Sequence, residues 1–176
     1  LLGGSPLERR IDVIHDVLSL VLCGSLLLVA SFSTLGDRWV LGFALAVEVL
    51  LSALISIADP WASFVRTGHV PGLTWVIPVI ILVPLLVPAR PRITLIVSSL
   101  CALTMPAGIG ALASVGLVTA RAEDYASAGL TGVVAVGIAS IAARAVYGAG
   151  GQIAAARMVG SYELVELIGR GGAGEV

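Results

Sequence analysis

Long apolar runs, separated by short breaks that are polar or bear Pro and Gly, make up most of the chain. Five of them approach the length of a membrane-spanning helix: 13–32, 39–58, 73–87, 93–118 and 126–146. The third is short and holds Pro78 and Pro84, and the fourth holds Pro106 near Gly108 and Gly110, so both are expected to kink. The breaks at 33–38, 59–72, 88–92 and 119–125 are too short for a folded loop domain. Trp39, Trp61 and Trp75 fall at or near the predicted ends, where indole rings anchor at the membrane interface. The pattern predicts an all-α multispan membrane helix bundle, with lipid as its main surrounding.

Beyond residue 147 the pattern changes. Gly148, Gly150 and Gly151 read as a hinge, and residues 152–158 as a short Ala-rich helix that Gly160 ends. Tyr162-Glu163-Leu164-Val165-Glu166-Leu167-Ile168 mixes polar and apolar positions over the length of a strand and runs directly into a glycine cluster. The expected organisation is therefore a polar flank at 1–12, a helix bundle at 13–147, a connector at 148–161 and the start of a second domain at 162–176.

Composition agrees with a membrane location. Hydrophobic residues form 58% of the 176 positions, charged residues only 12%, and mean hydropathy is +1.06, whereas soluble domains carry roughly 25% charged residues. Cys23 and Cys101 lie inside apolar runs as small hydrophobes, with no spacing that would hold a metal. Nothing in the charge pattern calls for nucleic acid. The chain starts at Leu1 without Met and stops at Val176 inside the glycine cluster, which leads to the expectation that it is a piece of a longer protein.

That cluster carries the chemistry. Gly169-Arg170-Gly171-Gly172-Ala173-Gly174-Glu175-Val176 reads Gly-x-Gly-x-x-Gly-x-Val, and a hairpin of this kind lets backbone N–H groups approach phosphate oxygens that a Cβ would keep away. A dinucleotide-binding fold shares the glycines but wants a strongly apolar strand before them, and Glu163 and Glu166 interrupt this one. Residues 162–176 resemble the first strand and glycine-rich loop of bacterial eukaryotic-like serine/threonine protein kinases. The multispan region also resembles, more loosely, the membrane segments ahead of such kinase domains. The resemblance implies that Ile168 and Val176 cover adenine and that the backbone from Gly169 to Glu175 covers the phosphates of Mg2+-bound ATP. It implies a Ser or Thr hydroxyl of a protein substrate as phosphoryl acceptor. All ten basic residues are Arg, so the Lys that such an enzyme needs against the phosphates is not in these residues, and the fragment is expected to be inactive.

A tail that binds ATP belongs in the cytoplasm, at the inner membrane of a bacterium. With five spans the amino end is then outside, Arg38, Arg90, Arg92, Arg144 and Arg157 are inside, and Arg9, Arg10, Arg66 and Arg121 are outside. Arg9 and Arg10 beside the first span oppose this orientation, and a further upstream helix, giving six spans, would relieve the conflict.

Within the membrane-grade runs, Glu48 is the candidate polar site. An ionised carboxylate at mid-span costs at least about 2.5–3.5 kcal/mol, so neutralisation or a partner is expected, either for sensing a proton or small polar ligand or for a hydrogen bond to a neighbouring helix. A relay from His15 and Asp16 to Glu48 is a further reading. Ala135, Ala139 and Ala143 recur every fourth residue as a smooth stripe, suited to packing within the chain or to a homodimer. The rival function is a multispan transporter or channel with an incidental Gly-rich tail, its polar path built on Glu48 and Pro106, although the other helices offer few inward polar residues.

Overall fold

The computed structural model describes the backbone of residues 6–32, 36–87 and 89–156 and of four two-residue segments, 158–159, 162–163, 170–171 and 174–175, with side chains between residues 13 and 150 apart from Asp37. Among the described residues it is a bundle of five helices: α1 (Pro6–Phe32), α2 (Asp37–Thr67), α3 (Val76–Leu86), α4 (Pro91–Ser114) and α5 (Ala122–Ala156). Four of them, all but α3, are long and apolar enough to cross a membrane. Their outer faces expose Leu20, Leu27, Leu28, Ile96, Leu103, Leu130, Val133 and Ile141, as lipid-facing helices require.

The α3 helix has 11 residues and rises about 16 Å, roughly half the hydrocarbon thickness. The directions of its neighbours nevertheless require the chain to come back across the bundle here. Ser52 on α2 neighbours Cys101 on α4, Ser56 bonds Thr104, and Trp61 packs on Leu112, so α2 and α4 run the same way. On α5, Tyr125 faces Gly110 and Gly132 faces Ala102, so α5 runs opposite to α4. Residues 68–90 therefore return from the far end of α2 to the start of α4, with α3 as the helical part of that return. The Asp59 carboxylate accepts the Trp75 N–H at 3.3 Å and fixes where α3 begins.

Helix ends differ from the sequence expectation where local chemistry decides them. The predicted break after residue 58 is displaced, because α2 continues through Pro60 to Thr67 and stops only where Gly68, at φ +72°, returns its N–H to the Phe64 carbonyl. The α5 helix starts at Ala122 because the Asp124 carboxylate reaches back to the Arg121 N–H at 2.7 Å, in the manner of a capping box. It also continues through Gly148, Gly150 and Gly151, so the expected hinge is a helix. Glycine costs only about 1 kcal/mol per helical position, and no Pro interrupts the run.

Two prolines inside helices coincide with the closest approaches. Pro60 has no N–H for the Ser56 carbonyl one turn earlier, and Gly108 of α4 packs against that same carbonyl so tightly that a Cβ would lie 2.2 Å from it. Pro106 likewise leaves the Ala102 carbonyl without its helical donor, and Gly132 of α5 packs over Ala102, where a Cβ would meet the Ala102 Cβ at 3.2 Å. In lipid, a freed carbonyl is tolerated when a neighbouring helix covers it.

The core holds Ile55, Val76, Ile80, Cys101, Met105 and Ile109, closed by Ala128, Ala135 and Ala139 of α5. The alanine stripe is therefore consumed inside the chain, and Ala143 is buried with it, so this face is not available to a second protomer. Trp39 and Trp75 are exposed, as interfacial anchors should be, whereas Trp61 is buried against Leu112 and Val118.

After α5, Met158–Val159 (β1) pairs antiparallel with Tyr162–Glu163 (β2), and Arg170–Gly171 (β3) pairs antiparallel with Gly174–Glu175 (β4).

Candidate functional site

Glu48, Ser52 and Ser56 occupy i, i+4 and i+8 of α2 and share one face. That face turns into the bundle, since the three residues are exposed by 4%, 0% and 1%. Opposite, α4 contributes Thr94, Ser98 and Cys101, also buried, and Thr104. The two rows make a polar seam between parallel helices. At one end Ser56 Oγ and Thr104 Oγ1 share a hydrogen bond of 2.8 Å, and the Thr104 hydroxyl reaches the Cys101 carbonyl at 2.7 Å.

Further along, the seam is unsatisfied. Glu48 Oε1, Ser52 Oγ and Ser98 Oγ are buried and make no hydrogen bond to a nitrogen or oxygen among the described residues, and Ser52 faces only the weakly bonding Cys101 thiol. Most helical hydroxyls in this bundle behave otherwise. Ser25, Ser99, Ser114, Thr131 and Ser140 each donate to a carbonyl three or four residues earlier, at 2.7–2.8 Å. Ser52 and Ser98 decline that local bond while fully enclosed. A buried polar group without a partner costs of the order of 1–3 kcal/mol, more if charged.

The hydrogen bond to a neighbouring helix that was one expectation for Glu48 is not formed by Oε1. Nor is a relay assembled with His15 and Asp16. Those two pair with each other at 3.2 Å, and His15 lies beside Leu54, Ile57, Ala58 and Trp61 around an apolar cavity of about 190 Å³. Leu54 is six residues past Glu48, about 9 Å along α2. Cys23 is exposed on α1, Cys101 is buried, and both are free thiols.

Sequence reading singled out Glu48 and overlooked Ser52, Ser56, Thr94 and Ser98. The signal was the four-residue spacing of Glu48, Ser52 and Ser56 and the matching spacing of Thr94 and Ser98 on the next long helix that runs the same way. The expectation of few inward polar residues is thereby corrected, because small hydroxyl side chains disappear into an apolar average.

The other candidate site is only partly within the described residues. Of its nine positions, Ile168, Gly169, Gly172, Ala173 and Val176 lie outside them. Arg170, Gly171, Gly174 and Glu175 form an antiparallel ladder in which Arg170 opposes Glu175 and Gly171 opposes Gly174.

Comparison of the chain with protein-family models, with curated proteins and with solved structures finds no match to any of the three.

Proposed function

We propose that the chain is the membrane-anchoring amino-terminal part of a bacterial serine/threonine protein kinase, with residues 162–176 opening the catalytic domain. The observation that carries this reading is the glycine hairpin: Gly-x-Gly-x-x-Gly-x-Val with Arg170–Gly171 laddered on Gly174–Glu175, which is the backbone form a phosphate-covering loop needs. Mg2+ and ATP are its cofactors and protein Ser or Thr hydroxyls its acceptors. The hairpin supplies positioning of the phosphates, while the Lys and the metal-binding Asp belong to sequence after Val176.

The alternating helix directions gather Arg38, Arg90, Arg92 and Arg144 toward the end of the bundle where α5 leads into the hairpin. The opposite end holds Arg9, Arg10, Arg66 and Arg121 together with Glu8, Asp12, Asp16, Asp59, Glu123 and Asp124. Four Arg stand at each end among these residues, so the positive-inside rule does not choose between them, and the α5 end is cytoplasmic in this proposal because the hairpin that follows must meet ATP.

Two readouts test the proposal. The coding sequence beyond Val176 is expected to continue with a strand carrying Ala-x-Lys roughly fifteen to twenty residues on, then His-Arg-Asp and Asp-Phe-Gly. The encoded protein, purified in detergent, is expected to transfer label from γ-labelled ATP to Ser or Thr, and joint Gly171→Val and Gly174→Val changes are expected to lower that rate on the order of a hundredfold by displacing the phosphates. A continuation without these motifs, or label transfer indifferent to both glycines, rejects the kinase.

A transporter or channel is the second reading, and one observation favours it: the buried polar seam of α2 and α4 places oxygen ligands at membrane depth.

A further inference from the structure

We propose that Glu48, Ser52 and Ser98 form an intramembrane binding site for one monovalent cation of the sodium class, held between α2 and α4. This goes beyond the kinase reading and does not depend on it.

Three observations converge. First, the three side chains are at least 95% buried and each presents an oxygen with no hydrogen bond to a nitrogen or oxygen among the described residues, Ser52 facing only the Cys101 thiol. Second, they share one level of the seam. Ser52 faces the Cys101 thiol, a weak hydrogen-bonding group, Ser98 lies one turn before Cys101, and Glu48 lies one turn before Ser52 on a helix that runs the same way. Third, the oxygens do not bond to one another. Hard cations hold oxygen ligands at about 2.3–2.6 Å, which sets neighbouring ligand oxygens about 3.3–3.7 Å apart, at or beyond the edge of hydrogen-bond range, so unpaired oxygens at one level of the seam are compatible with a central ion.

Charge selects the valence. Glu48 forms no ion pair among the described residues, where the pairs are His15 with Asp16 and Arg121 with Glu123. The Arg residues on the packed helices lie elsewhere: Arg38 is ten residues and Arg66 eighteen residues from Glu48 along α2, Arg92 is exposed and six residues before Ser98, and Arg144 is exposed on α5. The α3 helix carries no charged residue. One carboxylate and one monovalent ion give a neutral complex, whereas a divalent ion would leave a net positive charge at a depth where each unit is costly. Hydroxyl and carboxylate oxygens are hard ligands and favour an alkali ion over a soft metal.

The test is thermal unfolding of the full chain in detergent, followed by the fluorescence of buried Trp61, with sodium chloride titrated against choline chloride at constant ionic strength. A ligand that binds only the folded state raises the midpoint with concentration. The midpoint is expected to rise in sodium and to reach saturation. In Ser52→Ala and Ser98→Ala the sodium concentration needed is expected to rise about tenfold, as for loss of one bond to a charged group. Glu48→Gln is expected to abolish the sodium effect. Equal midpoints in sodium and choline, or a sodium shift unchanged in all three variants, overturn the site. A midpoint that follows pH through Glu48 but ignores sodium also overturns it, in favour of a proton. Should Glu48→Gln not fold, the two serine variants decide the matter.

Discussion

Replacing Gly108 by valine is expected to unseat α4 from α2 and leave little folded protein. A Cβ at this position would stand 2.2 Å from the Ser56 carbonyl oxygen and 2.8 Å from its carbon, both backbone atoms that cannot rotate away. The helices would have to separate, which breaks the Ser56 to Thr104 hydrogen bond and uncovers a carbonyl that Pro60 leaves without its helical donor. Overpacking a core costs typically 1–3 kcal/mol, and here the obstructing atoms are backbone, so the loss is expected at or above about 3 kcal/mol. Gly137→Ala is the control. Nothing lies within 4 Å of its added methyl, and the helix gains from alanine, so its unfolding midpoint should hold or rise. Thermal unfolding and the monodisperse fraction in detergent measure both variants, and a Gly108→Val protein as stable as Gly137→Ala would refute the packing described for α2 and α4.

Glu48→Lys is expected to be nearly as damaging, through charge instead of shape. Glu48 is 4% exposed and has no cationic partner among the described residues, so lysine would bring an ammonium to a place with hydroxyls but no counter-ion. The cost of a cation at mid-span begins at about 2.5–3.5 kcal/mol on insertion scales. Long side chains escape such cost by reaching the interface, but Glu48 sits eleven residues into α2, about 16 Å from its start, too far for that escape. Glu48→Gln keeps the shape without the charge and is expected to fold. The yield of membrane-inserted protein and its resistance to protease separate the two, and a Glu48→Lys protein that inserts and resists protease as well as Glu48→Gln would mean that position 48 faces water.

The four long helices were legible because the cost of spanning lipid is written locally, in runs of about twenty apolar residues. Helix ends were less so. Pro60 looks like a breaker when read alone, and it is tolerated in α2 because Gly108, 48 positions later, covers the carbonyl it frees. That compensation is tertiary and leaves no mark beside the proline. The alanine stripe of α5 announced close packing but not the partner, which proved to be the chain's own core. Glu48 was visible as a carboxylate in an apolar run, whereas Ser52 and Ser98 matter only because α2 and α4 run parallel, a consequence of the return through residues 68–90. The glycine motif at 169–176 is entirely local; the structure describes the ladder of Arg170–Gly171 on Gly174–Glu175 within it, and its proposed role against nucleotide rests on the motif itself.

One face of the membrane must hold the hairpin if it is to meet ATP, and an epitope placed after Val176 reads that directly. In intact cells the epitope is expected to resist externally added protease and antibody and to become accessible only after the membrane is opened, while an epitope at Gly68, between α2 and α3, is accessible from outside throughout. Exposure of the Val176 epitope on intact cells contradicts the assignment of a membrane-anchored, ATP-facing kinase loop.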